Sequence, residues 1–202
     1  MKQTFYEKGE YGYLRSRKRQ TRNRALLFLL LTVGIFVTGL ILFGTNQNYL
    51  SIAAALMCIP TGVCVVNMIM FQRATECNDE TFQAVEAVKG GSLVLYDLAM
   101  TSYETTYPVL CASVLKNKIL CLLQADDAKC ASCSTHIREI LSSNEYEACE
   151  VLAVHDLADF LGSLKQMEEE RVKEGLDPMA EEENWVTGTR QTIAGILKSI
   201  SL

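Results

Sequence analysis

The residue types best suited to chemistry are two cysteines and a histidine, Cys130, Cys133 and His136, in the run C-A-S-C-S-T-H. A C-x-x-C spacing brings two thiolates within one helical turn, and a histidine three residues later adds a third zinc ligand. A fourth ligand would have to come from Cys149 or His155. The same pair of thiols would also suit dithiol redox chemistry.

A structural role explains these cysteines equally directly. Positions 130, 133, 137, 140 and 141 share one face of a helix, and cysteine fills buried faces well as a small hydrophobe. The sequence therefore favours packed cysteines and assigns no metal ligand, no cofactor and no catalytic residue. Zinc at Cys130, Cys133 and His136, or a thiol-redox pair at the two cysteines, stays open as the alternative.

Two further polar groups stand in apolar surroundings. Asp97 interrupts the run 93–100, and a buried carboxylate there would need a partner, for which Lys116 or Lys118 is available. We expect instead that Asp97 lies exposed at a strand edge. His155 and Asp156 follow a predicted strand, but Asp156 suits a helix cap and His155 has no nucleophile beside it in the sequence.

Composition narrows the function classes. Residues 73–202 carry eleven Lys/Arg against twenty-two Asp/Glu, so they lack the basic cluster that nucleic-acid phosphates require, and we expect no nucleic-acid partner. The phosphate loops, dinucleotide-binding turns and hydrolase or zinc-protease motifs with known signatures are missing from the sequence. The eight cysteines lie inside apolar runs, which indicates reduced thiols in a cytosolic setting without structural disulfides.

Two uncharged runs must position everything else. Residues 25–43 and 50–71 contain nineteen and twenty-two residues without a charge, and each is long enough for a helix that crosses the hydrocarbon core of a bilayer. Only six residues, 44–49, separate them, so the two helices must be antiparallel neighbours. The sequence predicts a transmembrane hairpin over 25–71.

The charges that flank this hairpin predict its orientation. Residues 1–24 carry eight Lys/Arg against two Glu, whereas the loop between the helices carries no Lys or Arg. The positive-inside rule then places the N- and C-termini in the cytoplasm and the protein in the cell membrane. The lipid bilayer is one partner, and the basic segment 1–24 also suits anionic lipid head groups.

The rest of the chain predicts a small α/β domain, residues 72–174. A helix over 78–89 is followed by apolar strands, and because these do not alternate in polarity, the sheet should be covered on both faces. The predicted order is helix, three strands with the last two in a hairpin, helix, strand, helix; the strands are 92–100, 107–115, 119–123 and 150–154, and the later helices begin at Asp126 and Asp156.

An acidic linker and a C-terminal amphipathic helix complete the chain over 175–202. The helix presents Ile193, Ile196, Leu197 and Ile200 on one side. That stripe needs a cover, which is the domain itself, the membrane surface or another subunit. We expect a protein partner or self-association through this helix.

The helix and strand order over about residues 79–165 resembles the core of restriction-endonuclease-like domains. That resemblance implies a metal held by an acid on the second strand and a Glu-x-Lys-type pair on the third. Here the second strand has no acid and the third reads I-L-C-L-L-Q over 119–124, so the nuclease site is missing.

The whole layout, with Glu10-Tyr-Gly-Tyr13 before a basic run, also resembles uncharacterised small bacterial two-helix membrane proteins sometimes labelled O-linked GlcNAc transferase-like. Such transferases combine a helical repeat array with a nucleotide-sugar domain, and neither occurs in this sequence.

Three functional hypotheses follow. The first is a membrane-tethered cytosolic interaction module or scaffold without catalytic activity. The second is a diverged nuclease-like enzyme that uses Asp97 and Glu104 with Lys116 or Lys118. The third is a zinc or thiol-redox sensor built on Cys130 and Cys133.

Overall fold

The structure is a computed structural model that describes residues 6–102, 105–146, 148–183, 185–186 and 191–202. It divides into two units. Residues 14–74 form a helical hairpin, and residues up to Tyr13 together with 75–202 form an α/β unit. The expected fold class, an N-terminal pair of apolar helices followed by a small α/β domain, is confirmed.

The hairpin consists of α1, Tyr13–Phe43, and α2, Tyr49–Arg73. Both helices are long and apolar enough to cross a membrane. Their large apolar side chains mostly face outward, with Ile41 77% exposed and Ile59 69% exposed. A helix in the core of a soluble domain would bury such residues, so the exposure is typical of helices that face lipid.

Polar contacts within the hairpin hold its two helices together. The hydroxyl groups of Thr32 and Thr61 lie 2.8 Å apart across the helix pair. Asn48 caps α2 by accepting from the Ser51 N–H at 2.8 Å and donates to the Gly39 carbonyl at 3.2 Å. A side chain at position 39 would meet the Asn48 amide and Leu50, so glycine permits this close approach.

The α/β unit contains four strands and five helices among the described residues. Three of the helices begin after Asn78, Asp126 and Asp156, as the sequence predicts, and α7 begins after Thr192. The elements in chain order are α3 Asp79–Val88, β1 Leu93–Thr101, β2 Thr106–Leu115, β3 Lys118–Leu123, α4 Asp127–Ser143, β4 Glu150–Val154, α5 Leu157–Glu174, α6 Pro178–Glu183 and α7 Ile193–Ser199.

The sheet has the order β1-β2-β3-β4. The first three strands are antiparallel and β4 runs parallel to β3, with Lys118 opposite Glu150 and Leu122 opposite Val154. Apolar clusters cover both faces, one under α4 and α7 and the other under α3 and α5. The predicted two-sided burial of the sheet is therefore confirmed.

The C-terminal helix packs inside the domain. Ile193, Ile196 and Leu197 of α7 are at most 5% exposed and belong to the cluster on the α4 face of the sheet. The chain after α7 then joins the edge of β1, where the Leu202 N–H donates to the Ala99 carbonyl at 3.0 Å. The apolar stripe that the sequence offers to a partner is thus covered by the domain itself, because the exposed face of the sheet beside α4 would otherwise meet water.

The N-terminal segment also differs from its expected form. The basic run belongs to α1, which begins at Tyr13 and so extends twelve residues before the predicted membrane helix. Residues 6–13 belong to the α/β unit instead of forming a separate juxtamembrane segment. The other predicted boundaries agree with the structure to within three residues: α1 ends at Phe43, and α2 spans Tyr49–Arg73 against the predicted run 50–71.

Candidate functional site

Asp97 is the most unusual residue of the sheet. It is 1% exposed in the middle of β1, and its backbone φ of +56° lies in the left-handed region that side chains rarely adopt. Its Oδ1 accepts from the Cys77 N–H at 2.8 Å and its Oδ2 accepts from the Gly12 N–H at 2.9 Å. The expected exposed position at a strand edge is therefore wrong, because two backbone N–H groups solvate the buried carboxylate in place of water.

Along the chain, one of these two donors precedes the hairpin and the other follows it. Gly12 precedes α1 by one residue, and Cys77 lies four residues after the end of α2. A single carboxylate on β1 therefore fixes both segments through which the domain is joined to the hairpin. We refer to Gly12, Cys77 and Asp97 as the Asp97 clamp.

The segment before α1 docks along β1 next to this clamp. The Tyr96 N–H donates to the Gly9 carbonyl at 2.8 Å, which extends the sheet by one backbone contact. The Tyr11 ring stacks on Phe82 of α3 with centroids 3.9 Å apart, and its hydroxyl donates to Asp79. Residues 9–12 are thus held against β1 and α3 by backbone, aromatic and polar contacts together.

Burial changes the acid–base behaviour of the groups around the clamp. Burial, with smaller contributions from Asp97 and Asp79, raises the pKa of the Cys77 thiol to about 12. Burial also raises the pKa of Tyr96 well above its usual value, and the hydrogen bond from its hydroxyl to Glu86 Oε1 at 2.8 Å adds to this effect. Both groups stay neutral at physiological pH, which suits a structural role.

The lysines proposed as partners of Asp97 are used elsewhere. Lys116 pairs with Glu174, and Lys118 donates to Glu170 Oε2 at 2.6 Å, so both hold the end of α5 against the β2–β3 hairpin. Glu104, the other acid of the nuclease-like hypothesis, lies outside the described residues. Asp97, Lys116 and Lys118 therefore do not form one site.

Cys130 and Cys133 face the core from α4. They are 4% and 0% exposed and pack in the apolar cluster under α4 and α7. Burial raises the pKa of Cys130, aided by Asp127 and Asp126, and raises the pKa of Cys133 to about 12. Thiolates, which bind zinc and attack disulfides, are thereby disfavoured at both positions. Within the part of the chain that the structure describes, no three His, Cys, Asp or Glu side chains are grouped as metal ligands.

His136 lies on a different side of α4 from the two cysteines. It lines a shallow cavity of about 390 Å³ together with Tyr107, Ser132 and Glu139. Its Nε2 is buried without a hydrogen-bond partner among the described residues, while the Tyr107 and Ser132 hydroxyl oxygens lie 2.7 Å apart. The cavity has room for a small polar group, and within the described residues the Ser132 hydroxyl contacts Tyr107 and makes no hydrogen bond to the His136 Nε2.

His155 sits at the end of β4, where its Nδ1 lies 3.0 Å from Asp127 Oδ1 at the start of α4. Asp156 caps α5 by accepting from the Ala158 N–H at 3.1 Å. Asp156 thus caps α5 as predicted, and His155 lies instead beside the start of α4.

Sequence reasoning missed the Asp97 clamp. The run Glu10-Tyr-Gly-Tyr13 was noticed as a motif, but nothing in its spacing points to a carboxylate 85 positions away. Sequence reasoning also missed Glu168, which accepts from the Ser92 hydroxyl at 2.6 Å and from Arg171 Nε at 2.7 Å. The only local signal was Asp97 itself, a charged residue in an apolar strand.

Comparison with known proteins finds no matching family model, no similar curated protein and no similar solved structure.

Proposed function

We propose that this protein is a membrane-tethered interaction module whose α/β domain acts at the cytosolic face of the cell membrane. The Asp97 clamp is the observation that carries the proposal. One buried carboxylate binds the chain both before and after the hairpin. The domain thus includes the chain segments on both sides of the hairpin in its own fold.

The charge distribution supports the cytosolic placement. Basic residues, Arg15 to Arg24, lie in the first turns of α1, while the loop 44–48 carries no charge. The positive-inside rule therefore assigns the basic side, and with it the α/β domain, to the cytosol. The basic turns also suit contact with anionic head groups, at about 1 kcal/mol per Lys or Arg near the surface.

The side-chain environment favours binding over catalysis. The Asp97 carboxylate accepts hydrogen bonds from backbone N–H groups, Lys118 pairs with Glu170 of α5, and Cys133 packs in the apolar core. A catalytic site requires a reactive group within reach of both a substrate and a second functional group. Lys116 and Cys130, which the sequence also singles out, are likewise engaged in structural contacts.

The topology can be tested with a matched pair of single cysteines in intact cells. We expect a membrane-impermeant maleimide to modify Thr45→Cys in the hairpin loop and to modify Glu169→Cys on α5 only after the cells are permeabilised. The parental chain measures background labelling of the native cysteines. The reverse pattern, or release of the chain from membranes by alkaline carbonate, would contradict the proposal.

The interaction role needs a separate measurement. Affinity isolation of the full chain from its native membranes in mild detergent should recover one companion, or a second copy, in a reproducible stoichiometric ratio. Membranes without the tagged chain provide the control. Recovery of the chain with lipid alone would overturn the interaction role and leave the membrane anchor intact.

A further inference from the structure

The two edge strands of the sheet differ in whether other parts of the chain cover them. The β1 edge is covered by both ends of the chain, through the Tyr96 N–H to the Gly9 carbonyl and through a bridge between Met100 and Ser201. The other edge is β4, Glu150–Val154, which among the described residues pairs only with β3. Its central residue, Leu152, is 48% exposed.

The hydrogen-bond pattern identifies which groups point outward from β4. The Glu150 N–H donates to the Asn117 carbonyl at 2.8 Å, so Glu150, and every second residue after it, directs its backbone toward β3. Val151 and Ala153 therefore direct their N–H and C=O groups away from the sheet. Apart from Glu150 at its start, the strand has no charged residue, proline or bulge of the kind with which proteins usually protect such an edge.

These groups are self-complementary. We propose that β4 pairs antiparallel with β4 of a second copy about a two-fold axis at Leu152, which joins the two sheets into one of eight strands. In this register Val151 lies opposite the second copy's Ala153 and each exchanges two backbone hydrogen bonds with it. Leu152 then meets its own counterpart in a non-hydrogen-bonded pair, whose Cα atoms lie about 4.5 Å apart. The proposal rests on the interaction module proposed above and assigns its partner.

Charges on α4 favour the same arrangement. Asp127 contacts His155 at the end of β4, so this side of α4 lies along the open edge. Arg138 follows eleven residues later on the same side of the helix and is exposed. Because α4 starts beside the end of β4, a two-fold axis at Leu152 sets Asp127 of one copy beside Arg138 of the other. Opposite charges in these places favour a second copy over an unrelated strand.

Cysteine crosslinking of the full chain in native membranes tests the register. Cα separations of about 4.4–6.8 Å permit a disulfide, so Leu152→Cys should form a covalent dimer under a mild oxidant. The matched control is Val172→Cys, an aliphatic residue of α5 that is 62% exposed. The parental chain, with its eight native cysteines, gives the background. Equal crosslinking of the two variants, or none at Leu152→Cys, would overturn the proposal.

Charge exchange tests the two-fold axis independently. In the Leu152→Cys background, Asp127→Arg or Arg138→Asp alone should reduce the dimer fraction several-fold, and the double variant should restore it. A double variant no better than the single ones would refute the α4 contact and with it the register.

A mass measurement covers the case in which the cysteine variant folds poorly. The purified full chain in a detergent micelle or nanodisc should have the mass of two copies, and Leu152→Lys should have the mass of one. A monomeric parental chain would overturn the dimer. The same membranes washed with carbonate separate the two proposals, since a chain that stays embedded but never dimerises refutes only this one.

Discussion

The backbone N–H of Gly12 donates to the carboxylate of Asp97 at 2.9 Å, although 85 positions separate the two residues. Asp97 sits in β1 and Gly12 stands just before the first membrane helix. The contact makes the stability of the α/β domain depend on the segment that leads into the membrane. The residues just before α1 are therefore part of the folded α/β unit.

Replacing Asp97 by Asn should weaken the contacts of Asp97 with Gly12 and Cys77. Asn keeps the left-handed backbone of +56° accessible, but its NH₂ group meets one of the two N–H donors. We expect a loss of ~2 kcal/mol, which for a chain of this size lowers the midpoint of thermal unfolding by roughly 4–8 °C. Circular dichroism of the solubilised chain measures it. Asp159→Asn, an exposed change on α5, should leave the midpoint nearly unchanged, and equal shifts would refute the clamp.

Two glycine-to-alanine substitutions should change the free energy of unfolding in opposite directions. Gly9 has φ +90° and a Cβ there would lie 3.1 Å from Leu95 Cδ2, whereas Gly162 is helical with nothing within 4 Å. Gly9→Ala should cost ~1–2 kcal/mol and expose residues 6–12 to protease. Gly162→Ala should stabilise α5 by about 0.5–1 kcal/mol because alanine favours helix. Proteolysis and thermal melting of both variants decide the matter, and a neutral Gly9→Ala would contradict docking of the segment.

Most of the secondary structure follows from local signals. The apolar runs 25–43 and 50–71 exceed the length of any ordinary core element, and Asn78, Asp126 and Asp156 mark three helix starts that the structure confirms. These signals act within a few residues, so hydrophobic length, capping and strand composition suffice to predict them.

The candidate site could not be predicted in the same way. The Asp97 clamp depends on two backbone N–H groups, which every residue except proline carries, so the sequence offers no distinctive partner to find. The search for a charged partner pointed to Lys118, which pairs instead with Glu170. The sequence likewise favours a protein partner for the α7 stripe, which instead packs within the domain. An amphipathic helix shows that it has an apolar face and not what lies against it.

The cysteines of α4 should be inert in the folded protein. Because burial raises the pKa of Cys133 to about 12, against 9.0 for a free thiol, its thiolate population at pH 8 is lower by roughly a thousandfold. Peptide-resolved alkylation should therefore modify an introduced Glu169→Cys at least that much faster than Cys133. Unfolding should abolish the difference.

If the same cysteines bound a structural zinc ion, removing the metal would destabilise the protein, and we expect the opposite. We expect a strong chelator to leave the thermal midpoint unchanged and elemental analysis to find no stoichiometric zinc, since a structural zinc site would contribute folding energy directly. Cys133→Ala, which removes the thiol and keeps the position apolar, should cost less than Cys133→Ser, which buries a hydroxyl. A chelator-induced drop in the midpoint would revive the sensor hypothesis.

Acid stability should reveal the carboxylate of Glu168, which joins α5 to the turn before β1. Hydrogen bonds from Arg171, then from Ser92 and Gly91, lower the pKa of Glu168 from 4.5 to about 2. A carboxyl whose pKa is lower in the folded state stabilises the fold above its unfolded pKa and loses that contribution as the pH falls. The contribution is therefore lost between about pH 4.5 and pH 2.

The Glu168→Gln variant should be less stable than the parental chain at pH 7, by ~1–3 kcal/mol for bonds to a charged group. It should lose less stability on acidification, so that the two curves of stability against pH converge near pH 2. Glu169→Gln, its exposed neighbour, should follow the parental curve, and a Glu168→Gln curve parallel to the parental one would show that this carboxylate does not carry the pH dependence.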